Sequence, residues 1–267
     1  MVTTQQIMKK VLLLACLCAV FVHCKNNESA QSGTAEKSTP QFSTINTLTA
    51  DEEKAGVKLL FDGKTMAGWH NFKKTTIGSG WVVDTVERAI HLDAKRVEGK
   101  WQALDAGDIV TADEYENFEL SVDWKIDTCG NSGIIYNVIE NTTDSLEYVW
   151  HSGPEMQVLD NACHPDAKII KHRAGDLYDL ISSSKEPVRP ALQWNQARLI
   201  INKGHVEHWL NGEKIVEFQF GGKEWDALVA GSKFKAMPMF GKAKKGHIAL
   251  QDHGNKVWFR NMKIKVL

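Results

Sequence analysis

From Val57 onward the dominant pattern of the chain is an alternation of apolar and polar residues with period two. Phe118, Leu120, Val122, Trp124 and Ile126 are apolar, and Glu119, Ser121, Asp123 and Lys125 lie between them. Successive strand residues point to opposite faces, so this stretch predicts a strand with one dry and one wet face. Asn211-Gly212 separates Val206–Leu210 from Glu213–Phe220, and Asn-Gly between alternating runs predicts a hairpin. Lys203-Gly204 marks another turn after Ala197–Ile201, which makes three consecutive strands a meander. Further predicted strands are Leu59–Phe61, Trp81–Asp84, Ala89–Leu92, Gly133–Val138, Glu155–Leu159, Ile248–Gln251 and Val257–Val266. Helical patterning is confined to Trp225–Ala230 and a short N-terminal turn, where Thr49 and Glu52 form a capping box and Gly56 supplies a stop. Many short strands without βα alternation predict a single all-β domain, an antiparallel sandwich or jelly roll, and argue against Rossmann and TIM-barrel folds. No internal repeat of propeller length is visible.

Ahead of this domain the pattern changes. Lys9 and Lys10 precede an apolar run, Val11–Val22. A membrane-spanning helix needs about 20 residues, so the shorter run fits the apolar region of an export signal. Cys16 and Cys18 lie inside it, and Cys24 closes it before polar Lys25, Asn26 and Asn27. The arrangement resembles a bacterial lipoprotein signal, in which Cys24 is lipidated and becomes the first mature residue. Phe21-Val22-His23 departs from the small residues usual before such a cysteine. Residues 25–48 are rich in Ser, Thr, Asn and Gln, and they read as a flexible tether. The expected organisation is a signal over 1–24, a tether over 25–48 and a domain over 49–267, held in the cell envelope by a lipid anchor.

Composition narrows the partners. Hydrophobic residues at 43% and charged residues at 24% are globular values, which exclude a wholly disordered chain. The 32 basic and 33 acidic residues leave a formal charge of -1, which speaks against a nucleic-acid partner attracted by bulk charge and suits a neutral sugar. Nine Trp against four Tyr are compatible with sandwich cores and with platforms for sugar rings. Beyond Cys24 only Cys129 and Cys163 remain, too few for a disulfide framework, and two separate buried thiols are the simpler expectation.

Familiar catalytic signatures are missing: the sequence has no Gly-rich phosphate loop, no Cys-x-x-Cys, no His-Glu-x-x-His and no Gly-x-Ser-x-Gly. What remains is a set of polar doublets on strands. Glu155 and Gln157 share one face, while Met156 and Val158 take the other. Gln251 and His253 share a face if the strand through Ile248 and Leu250 continues. Two such doublets on a concave sheet would line a groove with donors, acceptors and a titratable base. Solvent-facing strand positions are ordinarily polar, so periodicity alone does not decide the matter. His208 has the parity of Val206 and Leu210 and reads equally as a core histidine or a ligand. Asn131-Ser132-Gly133 is compatible with a plain turn, and His151, His164 and His172 have no zinc-motif spacing.

The motifs together carry a resemblance. Leu60-Phe61-Asp62-Gly63-Lys64-Thr65 ending in Gly68-Trp69 resembles the opening of the 3-keto-disaccharide hydrolase domain family. Asn131-Ser132-Gly133-Ile134, Glu155-Met156-Gln157-Val158-Leu159-Asp160, Trp194-Asn195 and His208-Trp209-Leu210-Asn211-Gly212 follow in that family's order. So do Gly246–Gly254 and Val257–Asn261, while Tyr136 and Asn137 stand where the family often carries an arginine. The resemblance runs from about Leu48 to the end. It implies a concanavalin-like jelly roll and an exported enzyme that cleaves 3-keto-glycosides. In such a sugar the C3 ketone acidifies the C2 proton, so a base can remove it, the C1 group leaves by β-elimination, and water then adds. On this reading Glu155 or His253 is the base and the other assists the leaving group. Gln157 and Gln251 orient hydroxyls or the ketone, and Asn131 and His208 are further substrate-binding candidates. No cofactor is established, although a divalent metal could polarise the ketone. The alternatives are a non-catalytic carbohydrate-binding jelly roll and a laminarinase-like glycosidase built on Glu119 and Asp123, whose third acid is missing.

Overall fold

The computed structural model describes residues 45–141 and 146–267. The chain separates into Met1–Gln41 and Phe42–Leu267, and every described residue belongs to the second unit. The expected signal, Cys24 and nearly all of the tether lie outside the described residues.

After the capped helix α1 (Ala50–Lys54) come β1 (Lys58–Leu59), β2 (Trp69–Asn71), β3 (Trp81–Asp84) and β4 (Ala89–Leu92). A hairpin of β5 (Lys95–Val97) and β6 (Lys100–Gln102) stands apart, followed by β7 (Ile109–Thr111), β8 (Phe118–Ile126), β9 (Asn131–Val138) and β10 (Glu155–Leu159). The meander β11 (Asn195–Asn202), β12 (His205–Leu210) and β13 (Glu213–Gln219) leads into helix α2 (Gly222–Ala230). β14 (His247–Leu250) and β15 (Val257–Val266) close the fold.

All strand pairings among the described residues are antiparallel. The larger sheet runs β13-β12-β11-β8-β15-β4-β3, with β1 on β15, and the smaller runs β10-β9-β14-β7-β2. The result is a jelly-roll β-sandwich. Its core is the period-two set read from the sequence: Phe118, Leu120, Val122 and Trp124 from β8 face Ile134, Met156, Val158, Ile248 and Leu250 from the smaller sheet. β2 and β7, two of the five strands of that smaller sheet, escaped the pattern because three residues are too few to display a period.

Three expectations need correction. Asn131-Ser132-Gly133 is not a turn but the start of β9, paired with β10. Order also begins before residue 49. Asn46 is buried and clasped by Asn261, each accepting the other's backbone N–H, at 2.6 and 2.8 Å, and its Nδ2 donates to the Arg88 carbonyl. The tether reading failed there because a small polar segment was ordered by hydrogen bonds rather than by apolar burial. Cys129 and Cys163 are not separate thiols but a disulfide, with Cα atoms 4.7 Å apart. Antiparallel pairing sets Asn131 opposite Leu159, which brings the segments beyond them together. A crosslink spanning 34 residues stabilises the fold by about 3–4 kcal/mol through the unfolded chain.

Candidate active site

β10, β9 and β14 are neighbours in the smaller sheet, so residues of one parity on each collect on its outer face. Glu155 and Gln157 from β10, Asn131 from β9, and Gln251 and His253 just past β14 line one pocket of about 230 Å³. Five of the six candidate residues therefore converge. The sixth does not. His208 is fully buried between the sheets, with one ring nitrogen 2.8 Å from the Tyr136 hydroxyl and the other 3.1 Å from the Gly175 carbonyl. Burial pushes its pKa down to about 4, so it is a neutral core histidine, the other half of its parity reading.

The central motif is explained by space. Gly133 pairs with Gln157 and lies beside Glu155. A Cβ at this position would stand 2.2 Å from Glu155 Oε1 and 2.8 Å from its Cδ, so any other residue here would push the carboxylate out of its present position. That carboxylate accepts no hydrogen bond among the described residues. Burial pushes its pKa up to about 8; the positive charge of Lys233 opposes this, and Asp108 and Asp166 add to it.

β14 ends at Leu250; Gln251 still donates its backbone N–H to the Gly133 carbonyl of β9 (3.0 Å), and the residues after it are held by side chains. Asp252 donates its backbone N–H to Asp108 (2.9 Å), while its carboxylate accepts from Gly107 (2.8 Å) and Gly254 (2.8 Å). This turn presents Gln251 and His253 to the same pocket, and it keeps His253 exposed at the mouth. The Asn131 Oδ1 and Gln251 Oε1 atoms are buried and meet no donor among the described residues. A buried acceptor is costly unless a donor reaches it, and a sugar hydroxyl is such a donor.

Residues outside the strands complete the walls and were missed by strand periodicity: Tyr178 from a loop, and Trp150, Lys233 and Phe234 from the single 3-10 turns Val149–His151 and Lys233–Ala236. Tyr178 donates its N–H to the Glu155 carbonyl (3.0 Å) and its hydroxyl to Asp166 (3.3 Å). The Lys233 ammonium lies 4.1 Å from the Tyr178 ring centroid, and its backbone N–H is fixed on Asp179 (2.7 Å), which also bonds His172. Burial lowers the pKa of Lys233, opposed by the carboxylates of Glu155, Asp179 and Asp166. A divalent ion in this pocket would find Glu155, His253 and the amide oxygens of Asn131 and Gln251. No trio of His, Cys, Asp or Glu ligand atoms converges there among the described residues, and the nearby Cys129 and Cys163 are spent on their disulfide.

Glu119 and Asp123, on which a laminarinase-like reading relied, sit in the opposite sheet. Glu119 pairs with Arg198 (2.6 Å), and Asp123 accepts from Asn261 (2.7 Å). The two acids that would cleave by an oxocarbenium route are thus engaged elsewhere.

A jelly roll with a carboxylate, unsatisfied amide oxygens and a lysine in one pocket is built for carbohydrate chemistry. The chain belongs to the 3-keto-alpha-glucoside-1,2-lyase-like domain family, whose model matches residues 56–265. It is 35% identical over 292 residues to a 3-keto-disaccharide hydrolase of Bacteroides thetaiotaomicron, covering 97% of this chain and 100% of that one. A crystal structure of a candidate glycosyl hydrolase from Parabacteroides distasonis matches with TM-score 0.72 and 34% identity, covering 84% of this chain and 99% of that one. A second from the same organism matches with TM-score 0.54 and 26% identity, covering 79% and 99%. Family membership makes the protein an enzyme of the glycoside hydrolase and lyase class.

Proposed function

We propose that the protein cleaves the glycosidic bond of 3-keto-glycosides by elimination and hydration. The observation that carries this reading is the buried Glu155 carboxylate, with its pKa pushed up to about 8, in one pocket with Lys233. A carboxylate of that basicity is suited to take a proton from carbon, and the lysine to hold negative charge on the C3 oxygen. Glu155 removes the C2 proton, and the C–H electrons move to form the C2=C3 enolate. The enolate reforms the C3 ketone and expels the C1 oxygen, which takes a proton from His253 at the pocket mouth. Water then adds to C1 of the resulting enone and gives a proton to His253, restoring it, and C2 takes a proton from Glu155 once that carboxyl has exchanged with solvent. Asn131, Gln157 and Gln251 orient the ring hydroxyls. The pocket lies below the roughly 300–1,000 Å³ of sites that enclose drug-sized ligands, which suits one ring inside and the leaving group outside.

Incubation with a 3-keto-glucoside in deuterated water tests the route. Deuterium is expected at C2 of the released sugar, above the level in free 3-keto-glucose kept without enzyme. Release without deuterium at C2 rejects the elimination.

The same reading puts the enzyme in the cell envelope, anchored through a lipid on Cys24. The Cys129–Cys163 bond supports this, because disulfides persist in oxidising compartments. Radioactive fatty acid should label the full chain expressed in a bacterial host and fail to label Cys24→Ser.

A further inference from the structure

Toward the far end of β9 from Asn131 lies a second cavity of about 470 Å³, larger than the first. Asn137 marks it on the strand, six residues on and therefore about 20 Å away. The cavity opens between the β11–β12 turn, the segment after β13 and residues 241–244. Two polar groups of its buried wall have no partner among the described residues: Asn137 Oδ1 and Trp225 Nε1, on side chains 2% and 1% exposed. Asn137 is fixed by its Nδ2, which donates to the Ala243 carbonyl (3.0 Å), so its oxygen is the group left over. One atom needs a donor and the other an acceptor.

The rim carries three lysines, Lys203, Lys242 and Lys244, against one acid, Glu116, and Lys242 is paired with Asp226. Lys203 and Lys244 line the cavity with exposed side chains, and neither forms an ion pair among the described residues. Helix α2 also starts here. Gly221 lines the cavity, no side chain caps the helix, and Gly221 and Gly222 carry positive φ of 77° and 78° with nothing within 4 Å of a would-be Cβ. First-turn N–H groups left bare in this way favour an anion.

We propose that this cavity is a binding site for an acidic saccharide, separate from the cleavage pocket. A sugar hydroxyl both donates and accepts, so it answers Asn137 Oδ1 and Trp225 Nε1 together. A carboxylate on the same sugar answers the two lysines and the helix start. A bare inorganic anion fits less well, because it brings no donor to Asn137. The cavities share a packed partition: Trp225 stacks on Phe240 (6.1 Å), and Phe240 on Phe234 (3.9 Å), which walls the cleavage pocket.

Calorimetric titration of the Glu155→Gln protein with methyl β-glucuronide, methyl β-glucoside and inorganic sulfate tests the proposal. Saturable glucuronide binding is expected, at least about tenfold tighter than that of glucoside or sulfate. Lys203→Glu/Lys244→Glu, two exposed changes that leave the core intact, should weaken it about tenfold or more. Trp225→Phe, which removes the donor and keeps a ring, should weaken it about fivefold. Equal affinity for glucoside and glucuronide, sulfate binding as tight as glucuronide, or glucuronide binding unmoved by the double lysine change would overturn it. The readout is binding by a variant altered at the proposed base, so its outcome is independent of the cleavage mechanism.

Discussion

The two sheets each turn a polar, tryptophan-bearing face outward, and the two faces treat their polar groups in opposite ways. On the larger sheet's face the tryptophans and the charges around them are paired, with the exception of Arg260 Nε, which meets no partner among the described residues. Lys125 bonds Glu87 (2.7 Å) and lies 4.4 and 5.2 Å from the rings of Trp258 and Trp194. Arg260 covers Trp194 from 3.8 Å, and His91 stacks on Trp258 at 4.3 Å. The indole N–H groups of Trp258, Trp194 and Trp209 donate to Asp84, Glu87 and Glu207. On the smaller sheet the Asn131 and Gln251 oxygens are unsatisfied, and Glu155 is buried without a hydrogen bond among the described residues. The chemistry sits where pairing is incomplete, and the density of aromatic residues is no guide to it.

The sharpest way to break this contrast is at Glu155. Glu155→Gln should lower kcat/KM about 10³-fold, and the wild-type kcat/KM should rise with pH through about 8 as the base ionises. Stability should move the other way. Between its ordinary value of 4.5 and about 8, the folded protein holds this proton more tightly than the unfolded chain does. Wild-type stability therefore falls as pH rises through that window, and above it Glu155→Gln should be the more stable protein by a few kcal/mol. Urea melts of both proteins at a series of pH values would show this, and a wild type as stable as the variant at alkaline pH would remove the case for a strained carboxylate.

Lys233→Met should cost about 10²-fold in kcat, with little change in melting temperature. Steady-state kinetics on a 3-keto-glucoside would check it, and a purely structural role would instead appear as lost stability. The smallest effect is expected on the paired face. Trp194→Leu should lower unfolding free energy by about 1–2 kcal/mol and leave kcat/KM unchanged. A large loss of activity there would mean that the paired face takes part in catalysis after all.

Much of this was legible in the residue order. The long strands showed themselves because alternation persists over five or more positions, as in β8 with its buried Phe118, Leu120, Val122 and Trp124. Parity also placed Glu155 and Gln157 on one face and Met156 and Val158 on the other. Parity could not decide His208, since a core histidine and a ligand alternate identically, and only the Tyr136 and Gly175 contacts separate them. Tyr178 comes from a loop and Trp150 and Lys233 from single 3-10 turns, too short to show a period. The disulfide depended on the register between β9 and β10, a long-range fact that neither cysteine's neighbours encode. The tryptophans were also ambiguous by composition. Trp69, Trp81, Trp124 and Trp225 are buried, four more (Trp101, Trp194, Trp209 and Trp258) lie under or beside cationic side chains, and Trp150 alone reaches the cleavage pocket.

Gly133 has a meaning for how this pocket can change over generations. Its lack of a side chain is what keeps the Glu155 carboxylate in place, so a single added methyl group would dislodge the acid without altering any charge in the protein. A change at position 133 would thus reach the acid through space alone, by taking the volume its carboxylate now fills.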